Sequence, residues 1–252
     1  MLRKWQGQCL VVFLFLIWPI NGVRAAISVE IENPYFYPAD GKLNQICFVK
    51  NIGETVCAAE IQPKNWSMSL LGEDLMTDTS DFLVYPNKFL LKPGESVAAT
   101  VSWMGPMDLL YERAYRLVVQ EIPISSKLKE KYLGKTPEKN DSGSSFGITV
   151  VLRFLKNIYA SPQNAAPNVA LTSVKLKKNS NDLILVLENR GTKHYSTQSI
   201  TLAFQKEGHD SVTHEIAIAN RLNIIAREKQ ELIVPMPSSV SWPCKVTLLQ
   251  SE

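Results

Sequence analysis

Residues 147–162 read GITVVLRFLKNIYASP, and this stretch decides the fold. Placed on an extended backbone, Ile148, Val150, Leu152 and Phe154 fall on one side, and Thr149, Val151, Arg153 and Leu155 fall on the other. The run predicts a strand over 147–160, longer than the roughly 5 to 6 residues of an average strand. Apolar residues dominate both sides, whereas a strand with one wet face alternates cleanly between apolar and polar. Either both faces are buried within the chain, or one is reserved for another polypeptide.

The flanks sharpen the reading. Residues 125–146, SSKLKEKYLGKTPEKNDSGSSF, hold five lysines and few apolar residues, and predict a mobile surface loop over 123–146. Upstream lie short apolar runs cut by turn residues: Ile27, Val29 and Ile31 before Asn33-Pro34, Ile46 to Val49 before Asn51-Ile52-Gly53, and Phe82 to Tyr85 before Pro86. Phe89-Leu90-Leu91 meets a Lys92-Pro93-Gly94-Glu95 turn before Val97 to Trp103, and Tyr115, Leu117 and Val119 form one face of a further strand. After the proline-punctuated SPQNAAPNVA segment, strand runs restart at Val169 to Leu176, Leu183 to Leu187, Ile200 to Phe204, His214 to Ala219, Glu231 to Val234 and Lys245 to Leu249. No helical stripe exceeds two turns. The expectation is an all-β chain with a sandwich over 26–162 and a second over 163–252. No sequence repeat links the two halves.

The chain has 252 residues, 45% of them hydrophobic and 20% charged, with a formal net charge of +3. That charge resides in the leader. Arg3 and Lys4 precede an apolar run from Leu10 to Trp18, followed by Pro19 and a small-residue exit near Ala25, which reads as a cleaved secretory signal peptide over 1–25. The run is too short to span a bilayer, which takes about 20 residues. Without the leader, 24 basic residues face 24 acidic ones, so nothing points to nucleic acid or to stable insertion of the mature chain in a membrane. Export places Cys47, Cys57 and Cys244 in an oxidising compartment, where Cys47 and Cys57 either pair across neighbouring strands or stay buried as thiols.

Catalytic patterns are missing. There is no nucleophile elbow, Gly-rich phosphate loop, zinc signature or Cys-x-x-Cys, so neither an enzyme nor a cofactor is expected. His194, His209 and His214 are spaced at odd intervals that do not share a strand face, which disfavours a metal site. Asp78 and Asp81 sit in a polar turn and read as solvated. Arg113 and Arg116 read as fold-holding partners of carboxylates.

The segment from Asp81 to Ile122 carries a resemblance. Tyr85-Pro86, Leu91-Lys92-Pro93-Gly94-Glu95, Glu112-Arg113 and Glu121-Ile122-Pro123 follow the order and spacing of motifs in the first domain of periplasmic pilus-assembly chaperones of the PapD-like type. Gly105-Pro106 followed by Glu112-Arg113-Ala114-Tyr115-Arg116 resembles the alternate, alpha-type fimbrial chaperones within that group. Val49-Lys50-Asn51-Ile52-Gly53 and Leu185-Val186-Leu187-Glu188-Asn189 add to the likeness. The resemblance implies two immunoglobulin-like β-sandwich domains in a boomerang arrangement. It also implies a periplasmic chaperone that lends its long strand to an incomplete pilus or fimbrial subunit and passes that subunit to an outer-membrane usher.

The subunit-binding residues it implies are Ile148, Val150, Leu152 and Phe154, with Asn157 and Lys156 nearest the position where such chaperones carry a carboxylate-gripping lysine. The matching arginine position falls near Pro34 or Tyr35, and Ser161 stands where an interdomain arginine is usual. The alternative reading is a pilus subunit or an adhesive surface protein, which would accept a strand instead of lending one.

Overall fold

Alternating apolar and polar residues become strands with one buried face through most of the chain. The computed structural model describes residues 27–124, 151–206, 214–218 and 222–249. Among them no helix is long and apolar enough to cross a membrane. The leader, residues 125–150 with Ile148 and Val150, and His209 lie outside the described residues.

The first half contains β1 (Ile27–Ile31), β2 (Tyr35–Phe36), β3 (Asn44–Asn51), β4 (Cys57–Met68), β5 (Asp74–Asp78), β6 (Phe82–Tyr85), β7 (Lys88–Leu91), β8 (Ser96–Trp103), β9 (Arg113–Ile122) and β10 (Arg153–Ala160). One sheet runs β1-β3-β8-β6; the other runs β2-β10-β9-β4-β5, with β7 also paired to β4. Their inner faces share a core that includes Cys47, Val49, Ile61, Leu91, Val101, Tyr115, Leu117 and Ile158. Phe82 packs edge-on against both Trp103 and Tyr115 at 5.0 and 4.9 Å, the favoured geometry for aromatic pairs.

The second half holds β11 (Val169–Leu176), β12 (Asp182–Asn189), β13 (Tyr195–Thr197), β14 (Ile200–Lys206), β15 (His214–Ile218), β16 (Leu222–Ile224), β17 (Lys229–Pro235) and β18 (Cys244–Leu249). Its sheets are β11-β12-β17, β15-β14-β18 and the pair β13-β16. A separate core forms around Leu183, Leu185, Leu187, Leu202 and Leu232. Two cores, each closed by its own sheets, give the two-layer architecture expected of β-sandwiches.

The longest described strand, β4, escaped the reading of apolar runs because Pro63 sits inside it and polar residues fill its second half. Proline removes a ladder donor and is normally excluded from sheet interiors. Here β7 pairs with β4 over Cys57 to Glu60 and β5 pairs over Lys64 to Met68, so Pro63 falls in the gap between two partners. On its other margin it is paired to Leu117 of β9. No ladder hydrogen bond is forfeited on the open side.

A repeat absent from the sequence is plain in three dimensions. Asn51 and Asn189 end β3 and β12 respectively, and both are fully buried. Each Nδ2 donates to a carbonyl four residues on, Thr55 or Lys193, and to a carbonyl in a later strand, Leu91 or Ile224. Each Oδ1 accepts from the glycine two residues on, Gly53 or Gly191. Each backbone carbonyl accepts from a residue in the left-handed region, Gly94 at φ 79° or Arg227 at φ 68°. Asn51 and Asn189 also sit opposite Ile27 and Val169, the first residues of β1 and β11. The two sandwiches are built on one corner used twice.

Asp81 departs from the expected solvated turn. Its Oδ2 accepts the Tyr115 hydroxyl at 2.6 Å and lies 3.4 Å from Arg113, so it braces the core. Asp78 is exposed and pairs with Lys64.

Candidate functional site

Strand β10 lies between β9 and β2, but unequally. It pairs antiparallel with β9 over its whole length, from Arg153 opposite Gln120 to Ala160 opposite Arg113. Its other margin meets β2 only at Tyr159 and Ala160, in parallel. Tyr159 and Ser161 donate their amides to Pro34 and Phe36 on that margin, at 2.8 and 2.9 Å. With a period of two, the amides of Arg153, Leu155 and Asn157 point the same way. Among the described residues no strand pairs with them. A row of open backbone groups therefore runs up to the point where β2 closes the edge.

The side chains divide by the same period. Phe154 packs against the first core and Ile158 is buried in it. Lys156 shares that face, close enough to the Cys47 thiol for its charge to act on it. Leu152 is half-buried, and its carbonyl accepts the Glu121 amide at 3.0 Å. On the opposite face Val151 and Leu155 stay 50% and 39% exposed. Asn157 and Tyr159 follow on that face, so Asn157 and Lys156 do not come together.

Asn157 is held by neighbours on the same face of the first half. Its carbonyl accepts from Arg116 of β9, and its amide donates to the Tyr159 hydroxyl at 3.1 Å. Arg116 also forks onto both oxygens of Asp74 at 3.0 and 2.9 Å and lies 3.7 Å over the Trp66 ring. Trp66 donates its indole N–H to the same Asp74 at 2.7 Å. Both Asp74 contacts come from one guanidinium nitrogen, and the ion pair together with the stacking on Trp66 leaves a held, locally neutralised guanidinium. The fold-holding role expected of Arg113 and Arg116 is thus met by Asp81 and Asp74.

The second half meets this face at Tyr159. His194 stacks on Tyr159 with centroids 4.1 Å apart and planes within 7°. Tyr35 stacks on Tyr159 at 5.5 Å, and the Lys193 amino group lies 5.2 Å over the Tyr35 ring. Burial lifts the phenols of Tyr35 and Tyr159 above their ordinary range, and the negative charge of Glu112 pushes both the same way. They stay neutral at physiological pH, and the Tyr159 hydroxyl accepts from Asn157 and Asn223. Glu112, only 1% exposed, accepts from the His194 backbone at 2.9 Å and faces its Nδ1 at 2.6 Å. This carboxylate–imidazole contact bridges the halves where Ser161, buried and bonded locally, cannot. Trp66, Tyr35 and His194 gave no local signal in sequence because their partners lie far along the chain.

Several solved structures share this fold. A chain of the CsuC–CsuE chaperone–tip adhesion subunit pre-assembly complex from archaic chaperone-usher Csu pili of Acinetobacter baumannii superposes with a TM-score of 0.56 at 15% identity, over 89% of this chain and 98% of that one. The YadV chaperone gives 0.53 at 11% identity, over 89% and 92%. The class 5 fimbriae chaperone CfaA gives 0.51 at 12%, over 89% and 100%. No family model and no curated protein matches the sequence. The likeness is one of fold, and it spans both halves.

Proposed function

We propose that this chain is a periplasmic chaperone that caps pilus or fimbrial subunits by donor-strand complementation. The observation that carries the reading is the margin of β10 away from β9, which among the described residues has no strand partner before Tyr159. An incomplete immunoglobulin-like subunit exposes an apolar groove and unpaired backbone groups; a lent strand satisfies both at once. Strand β10 has the needed parts: open amides at Arg153, Leu155 and Asn157, apolar side chains on both faces, and a stop at Pro34 and Tyr35. The shared fold with solved fimbrial chaperones supports the same reading.

The organisation that fits is a cleaved leader over 1–25, a first domain over 26–162 that lends residues 147–160, and a second domain over 163–252. Ile148, Val150 and Leu152 fill the subunit's groove, Phe154 anchors the strand on the first core, and Asn157 and Lys156 follow on opposite faces. An outer-membrane usher receives the loaded complex.

The test is co-expression in a periplasm with a fimbrial subunit from the same genome. The expected result is a soluble one-to-one complex that Ile148→Asp, Val150→Asp and Leu152→Asp together abolish while the chain itself stays folded. Equal complex formation by the triple variant would refute strand lending. Recovery of the chain in shed fibres would favour the pilus-subunit reading.

A further inference from the structure

We propose that the junction between the two sandwiches takes up a proton as it closes, and that the carboxyl of Glu228 binds it. Two carboxylates clasp the junction in opposite directions. Glu112 of the first half accepts from His194 of the second, and its own amide donates to the Thr192 carbonyl at 2.8 Å. Glu228 of the second half accepts the Met68 amide of the first at 3.0 Å. Close by, the Glu231 amide donates to the Leu70 carbonyl at 2.6 Å. Between the clasps, Trp66, Ala114, Tyr159 and Ile225 form a small apolar cluster of their own. A cavity of about 400 Å³ separates the two carboxylates, lined by Asn65, Trp66, Tyr115 and Arg113 from one side and by Ile225 and Arg227 from the other.

The clasps differ in charge balance. Glu112 faces an imidazole. Glu228 is half-buried and, among the described residues, has no cation within ion-pair distance. The charged and titratable groups around its cavity are already engaged or turned outward: Arg113 and the Tyr115 hydroxyl on Asp81, Glu112 on His194, Arg227 at an exposed left-handed position, and Tyr111 on the exposed loop. Closing the junction removes water from Glu228 and returns a single backbone amide. That exchange penalises the anion more than the acid. The direction for this group agrees: burial lifts its carboxyl above the ordinary range, and the Met68 amide offsets this only in part.

The sign follows by linkage. A carboxyl whose affinity for protons is higher in the closed junction than in the open one makes closure tighter as pH falls through its titration and looser as pH rises. Because His194 of the second half stacks on Tyr159 of β10 at the same junction, loosening withdraws His194 from β10. The inference concerns the junction itself and stands apart from the identity of any client.

Amide exchange of the full mature chain tests it, followed by NMR as the pH is lowered from neutrality through the titration of the carboxyl and corrected for intrinsic rates. Protection of the Met68 and Glu231 amides should rise as pH falls, by up to about tenfold per pH unit within the titration. In Glu228→Gln that slope should vanish with protection kept high, and in Glu228→Ala it should vanish with protection lowered. The Ile61 amide, bonded to the Asn87 carbonyl inside the first sandwich, reports folding and should not follow the same curve. Flat Met68 protection in the unmodified chain, an unchanged slope in both variants, or an Ile61 amide tracking Met68 would each overturn the proposal.

Discussion

Asn51 holds a buried strand end by three side-chain hydrogen bonds and Asn189 by four, all to backbone groups. Alanine at either site orphans buried carbonyls that water cannot reach, and each such loss costs about 1–3 kcal/mol. Asn51→Ala and Asn189→Ala should therefore each lower stability by about 3 kcal/mol in denaturant unfolding, with exchange protection lost first in the affected sandwich. A change below about 1 kcal/mol would show that the corner is dispensable. The cysteines make a second residue-scale case. Cys47 and Cys57 are both free, and each thiol is pushed up to about 11, chiefly by burial, with Glu121 adding to the effect at Cys57. Reactivity follows the thiolate, so neither should alkylate in the folded chain near neutral pH. Mass spectrometry after a brief native alkylation should find both unmodified, and both modified once the chain is denatured. A Cys47–Cys57 disulfide in the native protein would contradict this.

At the scale of elements, the placement of Pro63 yields a prediction of opposite character. Because β7 and β5 leave a gap at that position, Pro63→Ala should change stability by no more than about 1 kcal/mol, where a proline-dependent kink would cost more. Thermal unfolding reads the difference, and a large loss would mean that Pro63 fixes the path of β4. The same strand explains what the sequence concealed. Runs such as Ile27 to Ile31, Val97 to Trp103 and Leu183 to Leu187 announce themselves because half their residues are apolar and alternate. Strand β4 is held by its neighbours on both sides, so polar Gln62, Lys64 and Asn65 are tolerated along it. Strands β2, β5, β13 and β16 are too short or too polar to carry a period. The twofold repeat stayed hidden because its trace in sequence is only an asparagine with glycine two residues on, at Asn51 and Gly53 and at Asn189 and Gly191, and its closing backbone bond comes from Gly94 in one half and Arg227 in the other. For the candidate site, alternation placed Leu152 and Phe154 on one face, and the structure packs Phe154 of that face against the first core. The opposite face of Leu155, Asn157 and Tyr159 depends on Tyr35, Arg116 and His194, contacts made by tertiary structure alone.

Across the whole molecule, two separate cores leave the junction to a four-residue apolar cluster and a few cross-domain hydrogen bonds. Such a junction is firm enough to join the two halves and modest enough to respond to conditions. Strand β10 sits where both demands meet: one margin fixed to β9, the other without a strand partner among the described residues until β2, and Tyr159 stacked against His194 of the opposite half. Strand lending thus makes a claim about alternate amides of a single strand. Residue-resolved hydrogen exchange of the free chain and of its complex with a fimbrial subunit measures it most directly. In the free chain the amides of Leu155 and Asn157 should exchange quickly while those of Phe154 and Lys156, facing β9, are protected; in the complex all four should be slow. Leu155 and Asn157 amides already protected in the free chain, or unchanged by the subunit, would contradict the account.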